Sequence, residues 1–376
     1  MKKLVICSNE SIIGGRFSTG VGEVSDSLGI SLSKDYEVTV VCPDGNGTIA
    51  RTAGKLVEIA EGVRGCTLLG TRFLLCNSPA AIVKTIEHTA PDILLNFGDI
   101  DLISALTTRP NRAVCALDEL HHIDDKLEAL STYDAIVTVS KSYAEQLLSR
   151  GDALADLLKI KEFRGITNGI LGSIFSPERG VMLPAKYSID DMSGKALCKR
   201  RLCELYGLPY DRFIAVYLGR LVDIKGISGV IDSIKSIYDN GGYTVIIGNG
   251  EVEHTARLMK MKRSDGVLWL HDRVAPTTMI PILAGADFLL YPSKNEACGL
   301  MPMTACRYGT IPVTTLNGGL ADNMNDDIAI IIDSMDGAAE LMQSVYSGNI
   351  DEKRVAAMRA DFDWATRKQE YIEVLG

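Results

Sequence analysis

The chain of 376 residues carries 39 Lys and Arg against 48 Asp and Glu, and its net charge of −9 argues against a nucleic-acid surface. With 46% hydrophobic and 23% charged residues it has the composition of an ordinary globular protein, and its length suggests roughly two domains. No segment is long enough to span a membrane, and the nine scattered cysteines, odd in number and without a CxxC pair, read as reduced core thiols in a cytoplasm.

The start, MKKLVICSNE, has an apolar run of only Leu4 to Cys7 and reads as a first strand rather than a leader. Further strands are predicted at Val38–Cys42, Phe73–Cys76, Ile93–Phe97, Ala113–Leu117 and Ala135–Ser140. Helical stretches separate most of them, which predicts a parallel sheet. After the first strand, Gly20 and Gly22 permit a tight turn at a helix N-terminus, where a diphosphate can be met; a turn needed only for packing accounts for them equally well. The strand at Ala113–Leu117 runs into Asp118-Glu-Leu-His121-His122. Adjacent histidines face opposite sides of a regular element and make poor paired ligands for one metal, so His121 is a sugar contact or an ordinary loop residue. Residues 178–195 lack periodicity, which places a domain boundary between 1–175 and 176–350.

A second alternating series begins with a helix over Lys195–Tyr206 and continues through strands Phe213–Leu218, Tyr243–Ile247, Val267–Leu270, Phe288–Tyr291 and Ile311–Thr314. Arg220 and Lys225 follow the first of these strands and Gly248-Asn-Gly250 follows the second. Cleaving a sugar–phosphate bond leaves negative charge on a nucleoside diphosphate, and fixed cations can meet it. As an isolated pair, Arg220 and Lys225 read as solvated surface charges, and Gly248 reads as turn geometry. Glu296 lies just past the end of the Phe288–Tyr291 strand, where ligands of open α/β sheets bind. Gly299 opens a helical pattern to Tyr308, and Asn317-Gly318-Gly319 follows the next strand, so backbone N–H groups and close approach to a ligand are both available. A last helix is expected from Asp351 to Val374, carrying Phe362, Trp364 and Tyr371.

Three segments stand in register: Glu296-Ala-Cys298-Gly299-Leu300, Tyr308-Gly-Thr310 and Gly318-Gly319-Leu-Ala-Asp322. Together they resemble the signature of the bacterial glycogen and plant starch synthases, retaining glycosyltransferases of GT-B architecture. The resemblance implies an α/β fold of two Rossmann-like domains facing each other across a cleft, with residues 351–376 crossing back to the first. It implies glucosyl transfer from a nucleotide-glucose, ADP-glucose being the first guess, to an α-1,4-glucan or related acceptor, with no metal or other cofactor. In that family's terms Arg220 and Lys225 clamp the diphosphate and Glu296 serves the sugar. Gly20, Gly22, Asn168, Gly248, Cys298, Gly299, Leu300, Gly318, Gly319 and His121 line the substrates.

Departures cluster in the first half. Phe17 and Thr19 replace the lysine and first glycine of the family's Lys-x-Gly-Gly-Leu loop, and Gly98-Asp99-Ile-Asp101 and Asp118–His122 stand where the family has histidine motifs. Val274, with Arg273 beside it, occupies the place of an aromatic that stacks on adenine. These leave open a retaining hexosyltransferase of other specificity and a non-catalytic glucan-binding or regulatory protein.

Overall fold

The computed structural model describes residues 1–15, 20–45, 56–118, 124–172, 175–180, 182–271 and 276–376. The chain divides into two compact units, Met1–Leu171 with Phe362–Gly376, and Gly172–Asp361.

The first unit contains β1 (Lys3–Ser8), β2 (Glu37–Pro43), β3 (Val57–Ala60), β4 (Val63–Leu68), β5 (Thr71–Cys76), β6 (Ile93–Phe97), β7 (Arg112–Leu117), β8 (Ala135–Thr138) and β9 (Glu162–Gly165). They form one sheet in the order β3-β4-β5-β2-β1-β6-β7-β8-β9. The central strands are mostly apolar and covered on both faces, so β1 and β6 are buried over almost their whole length. Val5, Cys7, Val41, Leu74 and Leu94 pack together in one core cluster.

Three expectations need correction. The sheet is mixed, because β3 and β4 form a hairpin that pairs antiparallel with β5 at one edge. β8 ends at Thr138 rather than Ser140, because the Ser140 side chain accepts the Tyr143 N–H and caps the helix Lys141–Leu148. The single last helix is two, Ile350–Arg359 and Trp364–Leu375. Between them the backbone turns extended to pair with Ile170: Ile170 N–H donates to Phe362 O at 2.8 Å and Trp364 N–H to Ile170 O at 3.2 Å. The boundary therefore falls at 361/362, inside the predicted helix. Trp364 is fully buried in the first unit, its indole donating to Ser27 Oγ at 2.8 Å.

A buried acid organises the turn after β1. Asp26 accepts hydrogen bonds from Ser11 Oγ at 2.9 Å and Ile13 N–H at 2.9 Å, yet burial pushes its carboxyl up to about 7. Burial, with Asp26 adding to it, pushes Glu23 up to about 7 as well. The folded chain thus keeps protons that the unfolded chain releases near 3.8 and 4.5, so this stabilisation is complete below those values and is lost as pH rises through about 7. Asp26→Asn is expected to remove one group's share, a slope of at most about 1.4 kcal/mol per pH unit. Urea midpoints at pH 5 and pH 8 should then lie closer together in the variant than in the wild type; an unchanged gap would contradict this.

The second unit holds β10 (Phe213–Leu218), β11 (Gly242–Ile247), β12 (Val267–Leu270), β13 (Phe288–Tyr291), β14 (Ile311–Thr314) and β15 (Ile330–Ile331). Its sheet runs β12-β11-β10-β13-β14-β15, with every pairing parallel. Two buried lysines brace it. Lys195 Nζ donates among the carbonyls of Leu283, Ala284, Ala286 and Tyr308 and Thr310 Oγ1, at 2.8 to 3.4 Å, closing the end of the helix Pro276–Gly285. Lys199 pairs at 2.8 Å with Asp287, the residue before β13.

Candidate active site

Strand order places the catalytic candidates. From β10 the sheet proceeds one way through β11 and the other way through β13, so the chain order reverses between β10 and β13. In a parallel sheet the loops leaving such a pair diverge and leave a crevice at the carboxyl ends. The loop after β10 carries Arg220 and Lys225, and the loop after β13 carries Glu296.

The two loops are bonded to each other. Lys294 N–H and Ser293 Oγ both donate to Ile224 O, at 2.9 and 3.2 Å. Residues Asp223–Lys225 form a short 3-10 turn ended by Gly226 at φ +73°, where a Cβ would lie 2.0 Å from Pro292 O. Only glycine fits that crossing. The consequence is a contact of 3.0 Å between Lys225 Nζ and Glu296 Oε2. Tyr291 OH donates to the same oxygen at 2.7 Å. Glu296 is 8% exposed, so its charge is met by a cation and a hydroxyl inside the fold rather than by solvent. Arg220 is exposed, with its carbonyl held by Tyr217 OH at 2.7 Å. Burial raises Tyr217, with the Arg220 charge opposing it and the Glu296 charge adding to it, which keeps the phenol a neutral donor.

The glycines act mainly on neighbouring backbone. A Cβ on Gly248, at φ +153°, would sit 1.9 Å from Gly219 O, and one on Gly318, at φ +60°, 2.3 Å from Glu296 O. For Gly319 the obstacle is Ala297 O at 2.2 Å, and its N–H is already given to Glu296 O at 2.8 Å. Gly248 N–H is likewise given to Leu270 O. These positions are glycine because loops cross there, and they shape the crevice by letting its walls approach. Gly299, at φ +90°, precedes the helix Leu300–Arg307, so Leu300 is its first residue and that helix's N–H groups start beside Glu296. Cys298 is buried, and its carbonyl accepts from Asn323 Nδ2 at 2.9 Å, the setting of a packing residue.

Asn168, Gly20 and Gly22 belong to the first unit. Asn168 is 2% exposed, its N–H bonded to Val139 O while Oδ1 is buried without a partner. Gly20 is the N-cap of the helix Val21–Leu32 in ordinary helical geometry, so the turn there needs no left-handed residue. A Cβ on Gly22 would stand 3.1 Å from Ser11 N. His121, His122, Phe17, Thr19, Arg273 and Val274 lie outside the described residues. Asp99 caps the 3-10 helix Ile100–Ala105, and Asp101 pairs with Lys126. Sequence reasoning missed Tyr291 and Tyr217; the signal was an aromatic hydroxyl in each of the two strands that flank the reversal.

Residues 204–363 match the family model of the glycosyl transferases group 1. Curated relatives include a glycogen synthase of Myxococcus xanthus, 32% identical over 67% of this chain and 57% of that protein. A second, from Desulfatibacillum aliphaticivorans, is 35% identical over 51% of this chain and 41% of its own length. The chloroplastic/amyloplastic soluble starch synthase 1 of Solanum tuberosum is 34% identical over 56% of this chain and 34% of its own. The chain carries a glycosyl transferases group 1 domain and is similar to the glycogen and starch synthases. It spans about half the length of the curated synthases it matches. Among solved structures, the catalytic domain of Arabidopsis thaliana starch synthase IV, bound to ADP and acarbose, superposes with a TM-score of 0.82 at 19% identity, over 100% of this chain and 98% of that one. HepE of Anabaena, in complex with UDP and glucose, does so at 0.69 and 14% identity, over 100% and 99%. At these identities the superpositions establish the GT-B fold and nothing of its chemistry. The group 1 match encloses Arg220, Lys225, Glu296 and the three signature segments. No described helix is long and apolar enough to cross a membrane.

Proposed function

We propose that the chain is a retaining glucosyltransferase that moves glucose from a nucleotide-glucose, with ADP-glucose as the first donor, to an α-1,4-glucan or related acceptor. The observation that carries this reading is the Lys225–Glu296 contact of 3.0 Å at the strand-order reversal. An ammonium and a carboxylate so placed can serve the two products of bond cleavage, a diphosphate that gains negative charge and an anomeric carbon that gains positive charge. Arg220, on the same loop, supplies a second cation for the diphosphate. Solved relatives of this fold hold ADP in one case and UDP with glucose in another, so the donor base is the first variable to test.

A hexosyltransferase acting on another acceptor is favoured by one observation, the replacement of the family's first-domain lysine and histidine motifs by Phe17 and Asp118–His122. Released nucleoside diphosphate, measured for ADP-, UDP- and GDP-sugars with and without glycogen, decides between them. Stimulation by glycogen on ADP-glucose is the expected result; turnover only with another sugar or acceptor favours the alternative. Binding without transfer from any donor leaves a non-catalytic carbohydrate-binding protein. With Arg220 and Lys225 assigned to the leaving group, turnover is expected to survive EDTA unchanged. Complete loss in EDTA with recovery on adding magnesium or manganese would overturn that assignment.

A further inference from the structure

His254 is 1% exposed, at the start of the helix Val252–Met259, immediately behind the Gly248–Glu251 turn. Neither ring nitrogen makes a formed hydrogen bond, an uncommon state for so buried an imidazole. Two carboxylates reach it: Nε2 lies 3.3 Å from Asp223 Oδ1 and 3.2 Å from Glu251 Oε2, within ion-pair distance though out of line for a hydrogen bond. They come from different loops. Asp223 opens the 3-10 turn that ends in Lys225, and Glu251 closes the turn after β11. The same loops are joined through backbone, with Leu221 N–H donating to Asn249 O and Glu251 N–H to Leu221 O, both at 2.9 Å. Its helix also carries Glu253 and Arg257; Arg257 is engaged with Ser228 Oγ at 3.1 Å and with Asp232, both on the helix Ile227–Asp239.

We infer that His254 is a positioning residue of the donor site, an imidazole tie that draws Asp223 and Glu251 together and thereby fixes the Asp223–Lys225 turn. The inference rests on the donor-site reading of that turn. An imidazole behind the loop does two things for a diphosphate in front of it. It restrains the backbone that carries Lys225, and it holds two carboxylates towards the ring that would otherwise be free to face the anion. Both carboxylates are more than half exposed at the side chain, so they are free to align on the ring.

The test is titration of ADP and UDP into wild type, His254→Gln, His254→Leu and Lys225→Ala, with thermal melts alongside. His254→Gln keeps a donor near the Nε2 position and should hold affinity within about 3-fold, a rescue that mere packing would not require. His254→Leu should lose about 10-fold in affinity. If it does not fold, His254→Asn, whose shorter amide falls short of the carboxylates, carries the test with the same loss expected. Wild-type affinity in His254→Leu or His254→Asn, with Lys225→Ala weakened, would overturn the tie alone. If Lys225→Ala binds as wild type, or wild type binds neither nucleotide, the donor-site reading falls and the inference with it.

Discussion

Lys225→Ala is expected to lower turnover by roughly 10² to 10³-fold while leaving the chain folded, the scale of losing one preorganised charge donor from a transition state. The substitution removes a cation that touches Glu296 at 3.0 Å, but the carboxylate keeps the Tyr291 hydroxyl at 2.7 Å, so the loop does not lose its last restraint. Glu296→Gln preserves shape, removes the charge and leaves a weaker acceptor for sugar hydroxyls. Transfer should fall while donor binding persists. Because the two side chains touch, their effects should not add: the double variant is expected to lose far less than the product of the single losses. Steady-state rates and donor titrations on the three variants are the check. Near-normal turnover in both single variants would dismantle the site and favour a binding protein.

Asp287→Ala is expected to cost about 3–5 kcal/mol, the range for breaking a buried ion pair by removing one partner. Asp287 is 1% exposed and serves three groups: Oδ2 accepts from Ile214 N–H at 2.8 Å and pairs with Lys199 at 2.8 Å, while Oδ1 pairs with Arg354. Alanine leaves two cations facing each other in the interior. Burial works against the Lys199 ammonium and the Asp287 charge outweighs it, raising Lys199 above its ordinary value. Without the carboxylate, burial works against the ammonium with the Tyr346 hydroxyl at 3.0 Å left beside it. The group also aligns β10 with β13, since Ile214 lies on the first and Asp287 adjoins the second, so loss of donor binding should accompany loss of stability. Urea unfolding measures this directly. A change below about 1 kcal/mol would mean that the pair is no net support.

How far the sequence reaches is clearest along β10 and β13. Phe213–Leu218 and Phe288–Tyr291 are continuous apolar runs bounded by glycine or proline, which local periodicity identifies as buried parallel strands. The signature after Leu290 was legible for the same reason: its spacing lies within one strand–helix–strand unit. The edge hairpin Val57–Ala60 and Val63–Leu68 was not, because an edge strand with Val57 and Ile59 exposed lacks the burial pattern that marks a strand. The break at Ala360–Asp363 was hidden as well, since its cause is the backbone of Ile170, nearly two hundred residues away.

Residue identity in the sequence determined which charges are available, Arg220, Lys225 and Glu296, and which strand each one follows. It did not determine that Lys225 touches Glu296, that Tyr291 shares the carboxylate, or that His254 stands behind Asp223. Those depend on strand order: β10 and β13 are seventy residues apart in the chain but neighbours in the sheet. The glycines divide along the same line. Their spacing was visible, but only the fold shows that Gly226, Gly248 and Gly318 are required where one loop's carbonyl fills the space a side chain would need. Periodicity within a segment reports burial; which segments meet is decided by the packing of the whole sheet.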